Sequence, residues 1–552
     1  MSDREECVVS RRTFLGRFGL LAGGALAGSA VVPWALATAK EPAEAPFPRR
    51  LAVRPFPNNA SWVNTARPIE LHDLRGKFVL LDFWTLGCIN CMHIIPELRK
   101  LEQAWPNELA VIGVHSAKFA AEKGTKSIAD AVRRYKIEHP VVNDADFTIW
   151  NSFGVQAWPS LVLVDPEGYA VWAHSGEITF DQVDRLLGNA VPFYRKKGLL
   201  DEKPFKFELQ SPDAAAGPLL FPGKVLADET GGRLFIADSG HNRIIVTRLD
   251  GSPVAAIGSG APGRANGDYG TAQFNAPQGM ALDGETLYVA DTENHLIRGV
   301  DLQKKQVRTI AGTGRQNRDT PPFGRTEKPL RTALSSPWDL CVRRVELYIA
   351  MAGVHQIWAM SLDGGGIGVY VGNGREDIVD GPAGARRPGQ PGTACFAQPS
   401  GLASDGRWLY VADSEGSSIR AVPFDPRKDV RTVVGTARLP SARLFTFGDI
   451  DGRGPSVRLQ HPLGIVHYDG TLYVADTYNN KVKAIDPADG NTRTLAGNGK
   501  AGRTDDPPAF DQPGGIAAAA GKLFVADTNN HSIRAIDLRR GDKVSTLAIA
   551  GL

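Results

Sequence analysis

The stretch LYVADTENHLI, residues 287–297, decides the architecture, because the chain keeps rewriting it. LFIADSGHNRI (234–244), LYIAMAGVHQI (347–357), LYVADSEGSSI (409–419), LYVADTYNNKV (472–482) and LFVADTNNHSI (523–533) are the same phrase, with starts 51 to 63 residues apart. In every copy the later Ile or Val stands six positions after the Asp position. A phrase such as FNAPQGMALDG or LQHPLGIVHYDG precedes it, and a short run such as VRTIAGTG or TRTLAGNG follows. Period-two apolar runs bounded by Gly, Pro, Asn and Asp are strands and turns, which makes four strands per unit. Six such units with no helical periodicity between them predict an all-β, six-bladed β-propeller over residues 220–552.

Several apparent sites dissolve inside this frame. GSGAPG (258–263) matches GxGxxG, but GTG and GNG hold the same place in later units and no helix follows, so it is a loop between blades. Asp238, Asp291, Asp413, Asp476 and Asp527 share one repeat position, with Met351 there in the third copy. A recurring acid at a strand end serves hydrogen bonds within the blade rather than a metal ring. His295, His355 and His531 also share one position, which favours a repeat consensus over a zinc site. The loop between strands two and three leaves a blade on the same face as the connection to the next blade. The histidine loops and the long Gly/Asp-rich connections therefore share one face, and the preceding domain is expected at that face or its rim. Cys341 and Cys395 read as buried free thiols.

Upstream stands LLDFWTLGCINCMHIIPEL (80–98). The chain has five cysteines (Cys7, Cys88, Cys91, Cys341, Cys395), so there is no disulfide framework and no second CxxC for a four-cysteine zinc site. Met92 separates Cys91 from His93, which rules against a CxxCH haem signal. The apolar run 78–83 followed by Ile94, Ile95 and Leu98 at helical spacing puts Cys88 at a helix N-terminus. The partial positive charge there favours a thiolate. A Cu(I) site using His93 or His115 is conceivable, but ordinary surface or core histidines are the simpler reading. Further strands at LAVIGVH (109–115) and around the turn Asp165-Pro166-Glu167-Gly168 complete an α/β plan.

Residues 45–198 resemble thioredoxin-like proteins, particularly the branch whose active site reads F-W-x-x-W-C-x-x-C with a proline farther along the helix. Phe83, Trp84, Cys88, Cys91 and Pro96 match, and Trp158-Pro159 matches the family's cis-proline loop. The resemblance implies Cys88 as attacking nucleophile, Cys91 as resolving thiol, Asp82 as proton acceptor and Pro159 as part of the catalytic loop. Gly87 replaces the usual tryptophan and Ile89-Asn90 the usual intervening pair, so the direction of electron flow does not carry over. The repeats resemble NHL repeats; residues 294–296 spell Asn-His-Leu. A thioredoxin-like domain, a linker over 199–219 and an NHL propeller, with C-I-N-C-M-H at the cysteines, resemble the NHL-repeat-containing protein 2 family.

The N-terminus carries SRRTFL (10–15) and an uncharged stretch over 19–39 ending in small residues. This resembles a twin-arginine signal over residues 1–39, with Arg11 and Arg12 as the pair. It implies a periplasmic protein free of the membrane after cleavage; the alternative is an uncleaved anchor. A net charge of +3 on 552 residues gives no nucleic-acid footprint. Two functions stay open: an exported thiol-disulfide oxidoreductase whose propeller recognises a protein client or redox partner, or a non-catalytic scaffold with a structural CxxC disulfide. A metal-dependent propeller enzyme is a third. No cofactor and no resident metal is expected.

Overall fold

The computed structural model describes residues 45–203, 207, 209, 217–319, 323–384, 392–425 and 427–549. The expected export signal, Arg11 and Arg12 included, lies outside the described residues. No helix among those described is long and apolar enough to cross a membrane.

The first domain is a seven-stranded sheet built from β1 (Leu51–Ala52), β2 (Ser61–Val63), β3 (Phe78–Trp84), β4 (Leu109–His115), β5 (Val141–Asn143), β6 (Ser160–Val164) and β7 (Tyr169–Ser175), in the order β1-β7-β6-β3-β4-β5-β2. All seven residues of β3 are buried, as its continuous apolar run requires. Alternation sorts them: Phe78 and Leu80 pack under α1 (Ile89–Ala104) and α4 (Phe180–Lys196), whereas Val79, Leu81 and Phe83 face α3 (Thr148–Phe153). Asp82 belongs to the first parity and so projects beneath α1. Helix α2 (Thr125–Tyr135) covers the edge near β2 and β5.

Six blades follow, over residues 225–257, 267–311, 324–371, 381–434, 452–496 and 513–546. Blades 1 and 6 have four strands. Blades 2 to 5 gain a short fifth, recruited from the connection between blades, which a count of repeat phrases does not reveal. Each blade is one contiguous stretch, so the ring closes through contacts between its ends: Thr528 Oγ1 donates to the Pro222 carbonyl at 2.9 Å and the Phe221 N–H to His531 Nδ1 at 3.0 Å.

The second of these contacts is one of six. The residue at the repeat's histidine position accepts a backbone N–H from the next blade: Asn242 from Ala276, His295 from Ser336, His355 from Gln398, Ser417 from His461, Asn480 from Gln512, and His531 from Phe221. All six acceptors and all six donors have positive φ, and a proline follows each donor. The three histidines are thus blade-to-blade staples, with Nδ1 as acceptor.

The repeated aspartates bind within their blades, as expected. Asp413 accepts the Ala397 N–H at 2.7 Å and Arg420 at 3.0 Å; Asp291 and Asp527 pair likewise with Arg298 and Arg534 at 2.9 Å. In blade 3, Met351 and Trp358 stand at the Asp and Arg positions, both fully buried. An apolar pair replaces the ion pair, an exchange that protein interiors tolerate. Along the axis the repeat has Gly279, Gly401, Gly464 and Gly515, but Lys224 and Asp339 at the equivalent places. Lys224 Nζ lies 3.5 Å from Asp339 and donates to the Ser400 carbonyl at 2.8 Å, plugging the channel.

Candidate active site

Cys88 caps the N-terminus of α1, and its sulfur accepts the Cys91 N–H at 3.4 Å. Cys88 is half-buried; Cys91 is 1% exposed. Both thiols are free in this structure. Burial, then the adjoining Cys88 and Asp82, push the Cys91 thiol well above its ordinary range. Asp82 is 2% exposed and its Oδ1 has no hydrogen-bond partner among the described residues. Burial raises its carboxyl to about 7, with only His139 pulling it back. A carboxyl that holds or releases a proton near neutrality, close to a buried thiol, can accept that thiol's proton.

The Trp158–Pro159 bond is cis, and Trp158 packs in one apolar cluster with Cys88, Cys91 and Trp84. Its indole N–H donates to the Ser116 carbonyl at 2.9 Å. Glu122 fixes the turn before Cys88 through the Thr85 hydroxyl, the Gly87 N–H at 3.0 Å and the Phe119 N–H at 3.0 Å. The fold thus brings Cys88, Cys91 and the Trp158–Pro159 loop together, with Asp82 within electrostatic reach of Cys91.

The propeller closes over this loop on the face that carries the histidine turns. Gln398 donates to the Gly87 carbonyl at 2.8 Å and accepts the Ile89 N–H at 2.8 Å, clamping the backbone on both sides of Cys88. A Cβ on Gly87 would stand 2.7 Å from His461 Cε1 and 3.0 Å from the Tyr478 hydroxyl. The glycine that departs from the family pattern is thus the room the propeller needs. Ile89 and Met92 pack on Trp338 and Ala352. Phe119 meets Phe447, His461 and Tyr478, with ring centroids 4.7 to 5.5 Å apart. A cavity of about 180 Å³ remains between the domains, lined by Gly87, Met92, Tyr135, Trp338, Gln398 and Tyr478 among others.

His93 is neither a surface residue nor part of its own domain's core. It lies in the interface, with Nδ1 2.6 Å from Glu177, Nε2 2.8 Å from the Ser336 hydroxyl and its ring 5.7 Å from that of His295. His115 is buried against Trp84, neither ring nitrogen has a partner among the described residues, and burial lowers it to about 3. The two histidines sit in separate environments. Burial lowers His295 to about 3 as well, and His355 and His531 also fall. All three lie on the covered face and none joins the cysteines. Cys341, expected to be buried, is only partly so: it lines the channel on an inner strand, where desolvation raises its thiol to about 12. The Cys395 sulfur lies 3.2 Å from Asn373 Oδ1.

The residues that sequence reasoning missed are the clamp and its neighbours: Gln398, His461, Ser336 and Gln512. Each occupies the place before proline in its repeat, where the six copies read Phe221, Ala276, Ser336, Gln398, His461 and Gln512. Divergence at one place in an otherwise regular phrase was the available signal.

The thioredoxin-like family matches residues 76–170, and the NHL repeat matches 274–299 and 510–536. Over 527 residues the chain is 43% identical to NHL repeat-containing protein 2 of Gallus gallus, covering 89% of this chain and 70% of that protein. It is 44% identical over 516 residues to Protein SUPPRESSOR OF QUENCHING 1, chloroplastic, of Arabidopsis thaliana, covering 90% of this chain and 48% of the relative. Over 119 residues it is 28% identical to thiol-disulfide oxidoreductase ResA of Halalkalibacterium halodurans, 22% of this chain and 65% of that protein.

Proposed function

Because the chain belongs to the family of NHL repeat-containing protein 2, we propose that it is a thiol-disulfide oxidoreductase in which the propeller forms one wall of the redox site. The observation that carries this reading is the contrast between half-buried Cys88 at a helix N-terminus and fully buried Cys91, with the orphan carboxyl of Asp82 near it.

The Cys88 thiolate attacks one sulfur of a client disulfide. The client S–S bond breaks, a mixed disulfide forms on Cys88, and the second client sulfur leaves as a thiolate. Cys91 gives its proton to Asp82 and attacks the Cys88 sulfur, releasing the first client thiolate. Two electrons have moved to the client, and the pair is left as a disulfide. Run backwards, the same steps oxidise a client dithiol. A client reaches Cys88 past propeller side chains, which makes the propeller the element that selects protein partners. Export by the twin-arginine route to an oxidising compartment rests on Arg11 and Arg12. Replacing both by Lys should retain the precursor in the cytoplasm, and unchanged export would remove this part of the proposal.

The clamp by Gln398 favours a second reading, in which the CxxC loop is a docking element and the two domains a scaffold. Cys91→Ser separates the two. The oxidoreductase leaves clients trapped on Cys88 through a reducible bond, visible on non-reducing gels. A folded Cys91→Ser protein that traps nothing would favour the scaffold.

A further inference from the structure

Beside Cys88 lies a group of charges that the exchange steps above do not use. Lys118 follows β4, and its backbone N–H donates to Thr85 Oγ1 at 3.1 Å, while the Thr85 carbonyl accepts the Cys88 N–H at 3.4 Å. Lysine and nucleophile are thus fastened to the same residue. The Lys118 side chain is only 6% exposed, flanked by the rings of Phe119 at 5.6 Å and Phe445 at 5.5 Å. Its carboxylate partners come from the propeller: Glu415, on the turn between strands two and three of blade 4, makes a direct ion pair, and Glu376, on the connection from blade 3 to blade 4, lies 3.6 Å away.

A buried ammonium without counter-charge gives up its proton. Here burial works against the charge of Lys118, and Glu415 and Glu376 outweigh it, so the lysine stays charged; Cys88 is also within electrostatic range of it. The pair is therefore assembled only when the domains are docked. Glu415 is itself 3% exposed; its Oε1 and His461 Nδ1, 4.0 Å apart, make no hydrogen bond among the described residues. Burial pushes Glu415 up to about 7 against the pull of Lys118. The other titratable groups facing this cluster are Glu122, His355, His461 and Tyr478, with Asp377 held by Arg443 behind Glu376.

We infer that Lys118 is a positioning residue whose charge, held beside Cys88 by Glu415 and Glu376, sets the reactivity of that thiol, so that the propeller is an electrostatic part of the redox site. The inference rests on the oxidoreductase reading and adds a device for tuning it. Lys118 favours the Cys88 thiolate, and the two glutamates oppose it. Each single glutamate variant leaves the other carboxylate beside Lys118, which keeps the ammonium charged, so removing the lysine or one glutamate should act in opposite directions, whereas a merely structural ion pair would weaken the protein in the same direction whichever partner is lost.

The test uses the full chain, fully reduced, with iodoacetamide alkylation of Cys88 followed by mass spectrometry across a pH series, and the Cys88–Cys91 potential measured against glutathione. In Lys118→Met the rate profile should move to higher pH, with alkylation at neutral pH about tenfold slower. The potential should become more negative, by about 30 mV per tenfold. In Glu415→Gln and in Glu376→Gln both quantities should move the other way. Glu376 is 39% exposed, so its variant keeps the test decisive if loss of a buried partner prevents folding. Shifts of one sign in all folded variants, or none, with a working disulfide in the wild type, would overturn the inference and leave the oxidoreductase reading intact. A wild type whose pair forms no disulfide and whose Cys88 alkylates like an ordinary thiol would overturn both.

Discussion

Asp82 and Asp413 are buried to the same degree and handled in opposite ways. Asp413, in blade 4, takes a backbone N–H and the guanidinium of Arg420, which itself reaches the Cys395 and Val379 carbonyls and Asp380. Burial still raises Asp413 to about 6, but its charge has partners. Asp82, in the thioredoxin-like domain, has an orphan oxygen, stands near 7 and has a thiol as its reactive neighbour. A buried acid enclosed by donors is a structural staple; one left short of them beside a buried thiol is what the proposed proton transfer requires. Blade 5 shows how much the arginine matters. Lys483 stands in the arginine's place but spends its ammonium on Asp449 and Asp451 at 2.6 Å, and Asp476 rises to about 7.

Breaking the staple should have the largest effect. Arg420→Met strands Asp413 in an apolar blade and should cost about 3–5 kcal/mol in urea unfolding. Asp413→Met with Arg420→Trp, which copies blade 3, should recover most of that. If the double variant is no better than the single one, the Asp–Arg pair is more than an exchangeable staple.

Relieving the orphan should have the next largest effect, with the opposite sign. The Asp82 carboxyl is raised in the folded chain relative to an unfolded aspartic acid. The stability of its protonated form is thus fully present below about pH 4 and is lost as pH rises through about 7. Asp82→Asn removes that loss. It should match the wild type near pH 4 and exceed it by up to about 4 kcal/mol above pH 7. A gap that shrinks as pH rises would contradict the assignment of Asp82 as an uncompensated acid.

How much of this was legible in the sequence differs between the regions. The six blades were, because each repeats its own strand pattern and local pattern dictates local structure. The candidate site residues Cys88, Cys91, Asp82 and Pro159 were nominated by resemblance to a local motif, and the fold places the two cysteines beside the Trp158–Pro159 loop. The Asp–Arg pairing was readable too, since Arg298, Arg420 and Arg534 stand seven residues after their aspartates and Trp358 replaces arginine where Met351 replaces aspartate. The face on which the domains dock was legible from blade topology, but the residues that make the contact were not. Gly87 showed only as a departure, and its cause is a pair of side chains, His461 and Tyr478, nearly four hundred residues away. Gln398 and His93 gave no sign of their partners for the same reason: an interface between domains leaves no period in either one.

The contrast rests on Asp82 serving Cys91, and the resolving step reads that directly. Cys88 is loaded with thionitrobenzoate as a mixed disulfide, and release of the coloured thiolate follows attack by Cys91. In the wild type the release rate should rise with pH through a midpoint near 7, and in Asp82→Asn it should fall by a factor on the order of 10² and lose that midpoint. An Asp82→Asn protein that releases thionitrobenzoate at the wild-type rate with the wild-type pH profile would show that Cys91 needs no proton acceptor at Asp82, and the distinction between the two carboxylates would fall.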